Sequence, residues 1–208
     1  MKYKIISFDM QETLTDSSFS DEFWMETLPY LYSKSKSISL DESKAILKEK
    51  FSKYGKYDYR YYSVKYWIEE LDLKMDFSDI VKMIKNKPLF YKDVKELLKS
   101  LKDKVKLIII STTTYEFIDC ELGEHKQYFD KIYSSLDDFD IAGKTKEVYE
   151  KVAKENNVLP SEILHIGDSK EMDVENADKA GCDVFFFNNS RSRDENIKEL
   201  KKLIKNSI

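Results

Sequence analysis

Apolar and polar positions follow two rhythms along this chain. Five short apolar runs are bounded by polar residues: Tyr3 to Phe8, Val105 to Ile110, Lys131 to Ser134, Ile163 to Ile166 and Asp183 to Phe187. Runs this short suit strands buried on both faces, as in a parallel sheet. Between the later runs, apolar residues recur at helical spacing. Val94, Leu97, Leu98 and Leu101 precede the second run, and Tyr115 to Tyr128 supplies a helix after it. Val148, Tyr149, Val152 and Ala153 make a face before Pro160; Val174, Ala177 and Ala180 make another before Gly181, a residue suited to a C-cap. The alternation predicts an α/β fold: a Rossmann-like parallel sheet with helices on both faces.

From about Thr15 to Lys87 the strand rhythm stops. Phe23, Trp24, Leu28, Leu31 and Tyr32 sit at helical spacing, as do Val64, Trp67, Ile68 and Leu71. Ser20 and Asp41 are the expected N-caps. The pattern predicts an α-helical domain at 15–87, inserted into a core of 1–14 and 88–208, with Pro88 marking the return. Ile197, Leu200, Leu203 and Ile204 predict a closing helix in the tail.

A chain of 208 residues accommodates one domain plus such an insertion. Charged residues make up 36% of it, against about 25% in ordinary globular proteins. The 35 basic and 39 acidic residues nearly cancel, and no basic stripe stands out, so nucleic acid is not an expected partner. Cys120 and Cys182 lie far apart and form no metal-type spacing. No apolar run reaches the roughly 18 residues of a membrane span. The first strand pattern begins too early to leave room for a leader. A cytoplasmic monomer or homodimer without membrane partners is expected.

Candidate chemistry gathers where the strands end. Asp9 closes the first run and Asp168 the fourth, just after Gly167. Open α/β sheets place their sites at the carboxyl ends of strands. Ser111-Thr112-Thr113 follows the second run, Lys144 precedes a helix, and Asp173 lies five residues beyond Asp168. A carboxylate nucleophile, hydroxyls, a cation and further acids make a workable set for phosphoryl transfer.

In this order the residues resemble the haloacid dehalogenase superfamily. Phe8-Asp9-x-x-x-Thr13-Leu14 is similar to its first motif and Ile110-Ser111 to its second. Lys144 is similar to the third, and Gly167-Asp168-Ser169-x-x-x-Asp173 to the fourth. The resemblance covers nearly the whole chain, including a helical cap after the first motif. It implies a Mg2+-dependent phosphatase or phosphotransferase of small phosphorylated metabolites. Asp9 would be the covalent nucleophile. Asp9, Asp168 and the Gln11 backbone carbonyl would bind Mg2+, and Asp173 would hold it directly or through water. Ser111, with Thr112 beside it, would meet the phosphoryl group. Lys144 would pair with Asp9 and the phosphate, and Lys146 is an alternative for that role.

One departure changes the expectation. The family's phosphatases usually carry a second Asp where Gln11 stands here. Glutamine forms hydrogen bonds but exchanges no proton near neutral pH. A substrate with a good leaving group, such as an acyl or aryl phosphate, would tolerate that; so would a long-lived phosphoenzyme that favours transfer. A catalytically weak binding or regulatory protein is an alternative, and a dehalogenase-type hydrolase another. Glu12 replaces the usual Gly and offers a carboxylate if the backbone turns it inward. Arg60, set among Tyr57, Tyr59, Tyr61 and Tyr62, is a candidate anion clamp or a packing residue. His165 reads as a packed core imidazole.

Overall fold

The computed structural model describes residues 2–207. Five strands, β1 (Ile5–Phe8), β2 (Lys106–Ser111), β3 (Lys131–Ser134), β4 (Ile163–Gly167) and β5 (Asp183–Phe186), form one parallel sheet in the order β3-β2-β1-β4-β5. The chain winds outward from β1 through β2 to β3, then crosses back to β4 and β5. The carboxyl end of central β1 is therefore the switch point where such sheets hold ligands. Phe8 is in register with Ile109 and Ile166, so Asp9 emerges between the ends of β2 and β4.

Both faces of the sheet are covered, which is why its strands lack a polar face. Ile6, Phe8, Ile109, Leu164 and Ile166 pack on one side with α6 (Lys92–Leu101), through Val94, Leu97 and Leu98, and with α11 (Arg193–Lys205), through Ile197, Leu200 and Ile204. Ile5, Ile108, Ile110 and Ile163 pack on the other with α9 (Lys146–Glu155), through Val148, Tyr149 and Val152, and with α10 (Asn176–Ala180), through Ala177 and Ala180; the short α8 (Ser135–Phe139) follows β3.

Between β1 and β2 the chain is helical, as its spacing predicts. Helix α1 (Ser18–Glu22) runs through a wide π-helical turn, Phe23–Thr27, into α2 (Leu28–Lys36). Then come α3 (Leu40–Phe51), α4 (Val64–Glu70) and α5 (Phe77–Val81). Their buried residues, among them Phe23, Leu47, Trp67 and Ile80, form a separate apolar cluster. Helix α7 (Tyr115–Leu122) of the core joins it through buried Phe117, whose ring stacks on Trp24 at 6.0 Å and on Phe77 at 5.5 Å, with Cys120 packed beside it.

Two expected caps lie elsewhere. Ser39, not Asp41, caps α3 by accepting the Glu42 N–H at 3.2 Å, and Asp41 falls in the first turn. Ser20 lies inside α1. The expected helix from Tyr115 to Tyr128 ends at Leu122 and continues as a 3₁₀ turn, because Gly123 takes φ +47°. The closing helix starts at Arg193, earlier than its apolar spacing shows, since Ser192 and Glu195 form a capping box there. No helix among the described residues is long and apolar enough to cross a membrane.

Candidate active site

At the switch point lies a cavity of about 370 Å³. Asp9, Gln11, Ser111, Thr112, Lys144, Ser169 and Asp173 form its floor, and residues of the helical segment form its roof. The floor residues arrive from the ends of β1, β2 and β4 and from the connection after β3, so the fold brings them together. Asp9 donates its backbone N–H to the Ile166 carbonyl at 2.8 Å, which extends the β1–β4 ladder by one residue. The chain then turns, Leu14 and Thr15 both donating to the Met10 carbonyl. Glu12 takes φ +57° in that turn, the left-handed region that glycine enters without strain. Its side chain is not among the cavity walls. The turn is braced from outside by Arg193, which donates to the Thr13 carbonyl at 3.1 Å and lies 3.4 Å over the Tyr91 ring.

Lys144 is the central cation. Its ammonium pairs with one oxygen of Asp9 and one of Asp173, and its side chain is 3% exposed. Lys146 points outward to Glu150, so only Lys144 enters the site. Burial favours the neutral amine, but Asp173 and Asp9 outweigh it and hold Lys144 charged, well above its ordinary value. Burial lifts Asp9 up to about 7; Lys144 opposes this, while Asp173 and Asp168 add to it.

Asp173 is fully enclosed. One oxygen faces Lys144 and His165 Nε2, the latter at 3.1 Å, and the other accepts the Ser169 N–H at 2.8 Å. Burial favours its proton, but Lys144 and His165 overcome that and hold it far below the usual carboxylate range. Burial keeps His165 below its ordinary value and therefore neutral. A carboxylate only accepts, so His165 carries its proton on Nε2, and Ser7 donates to Nδ1 at 2.8 Å. The chain Ser7–His165–Asp173–Lys144–Asp9 thus runs from the sheet interior to the cavity floor. Gly167 makes room for it: a Cβ there would overlap the Asp173 carboxyl group.

Asp168 stands beside this chain, with Asn189 donating to it at 3.2 Å. Oxygen atoms of Asp9, Asp168 and Asp173 lie within 4.8 Å of one another, the one metal-type acidic cluster among the described residues. Burial first, then the charge of Asp173, raises Asp168. Ser111 ends β2 and is 4% exposed, its hydroxyl accepting the Thr113 N–H at 3.4 Å.

Arg60 is not brought to the cavity. Its guanidinium forms a fork with Asp58, at 2.9 and 2.6 Å, and stacks 4.1 Å over Tyr54. Two other residues take places that spacing does not signal. Tyr62 forms part of the roof and donates to the Lys56 carbonyl at 3.0 Å. Glu121, on α7, lies behind Gln11 and is 2% exposed. It accepts from the Gln11 carboxamide at 2.5 Å and from the Thr15 hydroxyl at 3.3 Å. Burial, opposed by those bonds, pushes Glu121 up to about 8.

This sheet order and site coincide with a match between residues 3–181 and the sequence profile of the haloacid dehalogenase-like hydrolases. The chain belongs to that family of hydrolases. Solved structures agree at the level of fold. A HAD phosphatase from Thermococcus onnurineus superposes with TM-score 0.80 at 23% identity, covering 98% of both chains. A 2-haloacid dehalogenase from Pseudomonas syringae gives 0.68 at 14%, over 98% of this chain and 99% of that one. A subfamily IA hydrolase from Geobacter sulfurreducens gives 0.64 at 19%, over 97% and 96%. No curated protein sequence matches significantly.

Proposed function

We propose that this hydrolase is a Mg2+-dependent phosphatase or phosphotransferase of small phosphorylated metabolites, acting through an aspartyl-phosphate on Asp9. In this reading residues 1–14 and 88–208 form the catalytic core, and residues 15–87 are a cap that keeps water from the cavity. The observation that carries the reading is the cluster on the cavity floor: Asp9 held against Lys144, with Asp168 and Asp173 beside it. Three carboxylates against one ammonium leave two negative charges uncompensated. That charge, on hard oxygen donors, fits a divalent ion such as Mg2+. Asp9, Asp168 and the Gln11 carbonyl would hold it. Asp173, whose oxygens already have protein partners, would reach it through water. Bound there, Mg2+ would offset charge on the phosphoryl oxygens.

The chain's own groups supply the rest. Asp9 attacks phosphorus. Lys144 fixes the attacking carboxylate and favours its ionised form against the effect of burial, and Ser111 and Thr112 donate to the phosphoryl oxygens. The acid cluster favours this reading over a dehalogenase, which has no use for a divalent ion. The test is hydrolysis of 4-nitrophenyl phosphate with Mg2+ or with chelator, beside Asp9→Asn. Turnover should require both the metal and Asp9. Equal rates with chelator, or an active Asp9→Asn, would refute the proposal. Absent turnover together with a Mg2+-dependent rise in Tm would favour a binding protein on the same scaffold.

A further inference from the structure

We infer that the group esterified to the phosphate is flat, uncharged and aromatic, so that the substrates are aryl phosphates. This rests on the phosphotransfer reading above and names its substrate class. Two independent features point to it: the roof of the cavity and the residue at position 11.

The roof is aromatic. Trp24, Phe51, Tyr61, Tyr62 and Phe117 line it, and Trp24 lies nearly parallel to Phe117, at 20°. Among the described residues, the helical segment sends no Lys, Arg or His to these walls. Its nearby cations are committed elsewhere, Arg60 to Asp58 and Lys56 to Glu171. The one charged roof residue is Asp21, which is exposed and accepts from Ser17 at 2.8 Å. A substrate bearing a carboxylate or a second phosphate would meet a like charge and no partner. A sugar would fare little better, because its hydroxyls would be desolvated against rings. Two of the roof's hydroxyls are already committed, Ser20 to the Ser17 carbonyl and Tyr62 to the Lys56 carbonyl.

Gln11 makes the second argument. Without an acid there, the leaving oxygen departs as an anion. Glu121 cannot substitute, since it lies behind Gln11 and outside the cavity walls. A phenol ionises near pH 10, about where Tyr does. An alkyl alcohol lies close to water, at about 15.7. Aryl oxides therefore leave unaided where alkoxides do not. In the first step an Asp9 oxygen bonds to phosphorus and the bond from phosphorus to the aryl oxygen breaks. Its electron pair stays on that oxygen, which takes a proton from solvent after release. In the second, water bonds to phosphorus, the bond to Asp9 breaks, the carboxylate is regenerated, and the water's proton passes to solvent. The same aromatic roof would also suit a quaternary ammonium, with Asp21 beside it. An alkyl leaving group without an acid argues against that occupant.

The test compares phenyl phosphate with glycerol phosphate, carboxymethyl phosphate, phosphocholine and acetyl phosphate, each with Mg2+. Phenyl phosphate should exceed the three alkyl esters in kcat/KM by about 100-fold or more, the scale of a missing general acid. Gln11→Asp should raise the alkyl esters more than phenyl phosphate. Tyr61→Ala, at a half-exposed position that folding tolerates, should lower the phenyl-to-acetyl ratio, and Trp24→Ala should lower it further. An alkyl ester or phosphocholine turned over as well as phenyl phosphate would overturn the inference. Acetyl phosphate turnover without an aryl preference would leave the phosphotransfer reading standing and remove this one. If nothing is turned over, the phosphotransfer reading fails. Tryptophan fluorescence with phenylphosphonate against methylphosphonate then decides the pocket: equal affinities would refute an aryl site.

Discussion

Glu121 carries a burden that its neighbours only partly relieve. Its carboxyl group is buried and accepts from Gln11 and Thr15, yet it stays raised from an ordinary 4.5 to about 8. A raised folded value means that the native state keeps a proton the unfolded chain gives up. The resulting stability is fully present below pH 4.5 and is lost as pH rises through about 8. Wild-type stability should therefore decline between pH 5 and 8, measured by urea unfolding. Glu121→Gln should flatten that decline and gain on wild type as pH rises. Parallel profiles would show that Glu121 ionises in the folded protein as it does in an open chain. Neither Glu121 nor the role of His165 could be read from the sequence. Gln11 and Glu121 are 110 residues apart, and only the docking of α7 on the β1 turn joins them. Asp9, Asp168 and Lys144 were legible because each closes or follows its own strand, where local spacing suffices. Arg60 shows the opposite failure: its aromatic setting was visible, but Asp58, two residues away, takes up its guanidinium.

At the scale of elements, apolar runs located the strands to within a residue or two, since burial on both faces leaves few other readings. Helix starts were less legible, because several Ser and Asp residues compete for each cap and only the backbone turn selects one. The start of α11 has consequences beyond the helix. Ser192 caps it, and the next residue, Arg193, reaches back to the carbonyls of Glu12 and Thr13. Arg193 thereby fixes the turn that carries Gln11 and follows Asp9. Lysine keeps the charge but loses the planar fork and its stacking on Tyr91. Arg193→Lys should lower kcat more than it raises KM on 4-nitrophenyl phosphate, with secondary structure unchanged by circular dichroism. A kcat equal to wild type would show that the turn holds itself.

Across the whole molecule, the helical segment between β1 and β2 was legible as a break in rhythm, but its attachment was not. Two contacts between the helical segment and the core stand out. One is a polar contact: Lys56 and Tyr57 both reach Glu171, and the Tyr57 ring lies so close to Gly143 that a Cβ there would approach it to 2.9 Å. The other is Phe117, set among the rings of Phe19, Phe23, Trp24 and Phe77. Phe117 follows Ser111, Thr112 and Thr113 by a few residues on one short connection. The helical segment therefore has the geometry of a lever whose fulcrum is tied to the hydroxyls of the cavity floor. Rocking it open would pull on that connection, so access to the cavity and the placement of those hydroxyls would change in one stroke. Hydrogen exchange should report the linkage: a bound phosphate analogue should protect residues 111–117 and 18–27 together. Protection of either stretch alone would mean that the lever slips on its pivot.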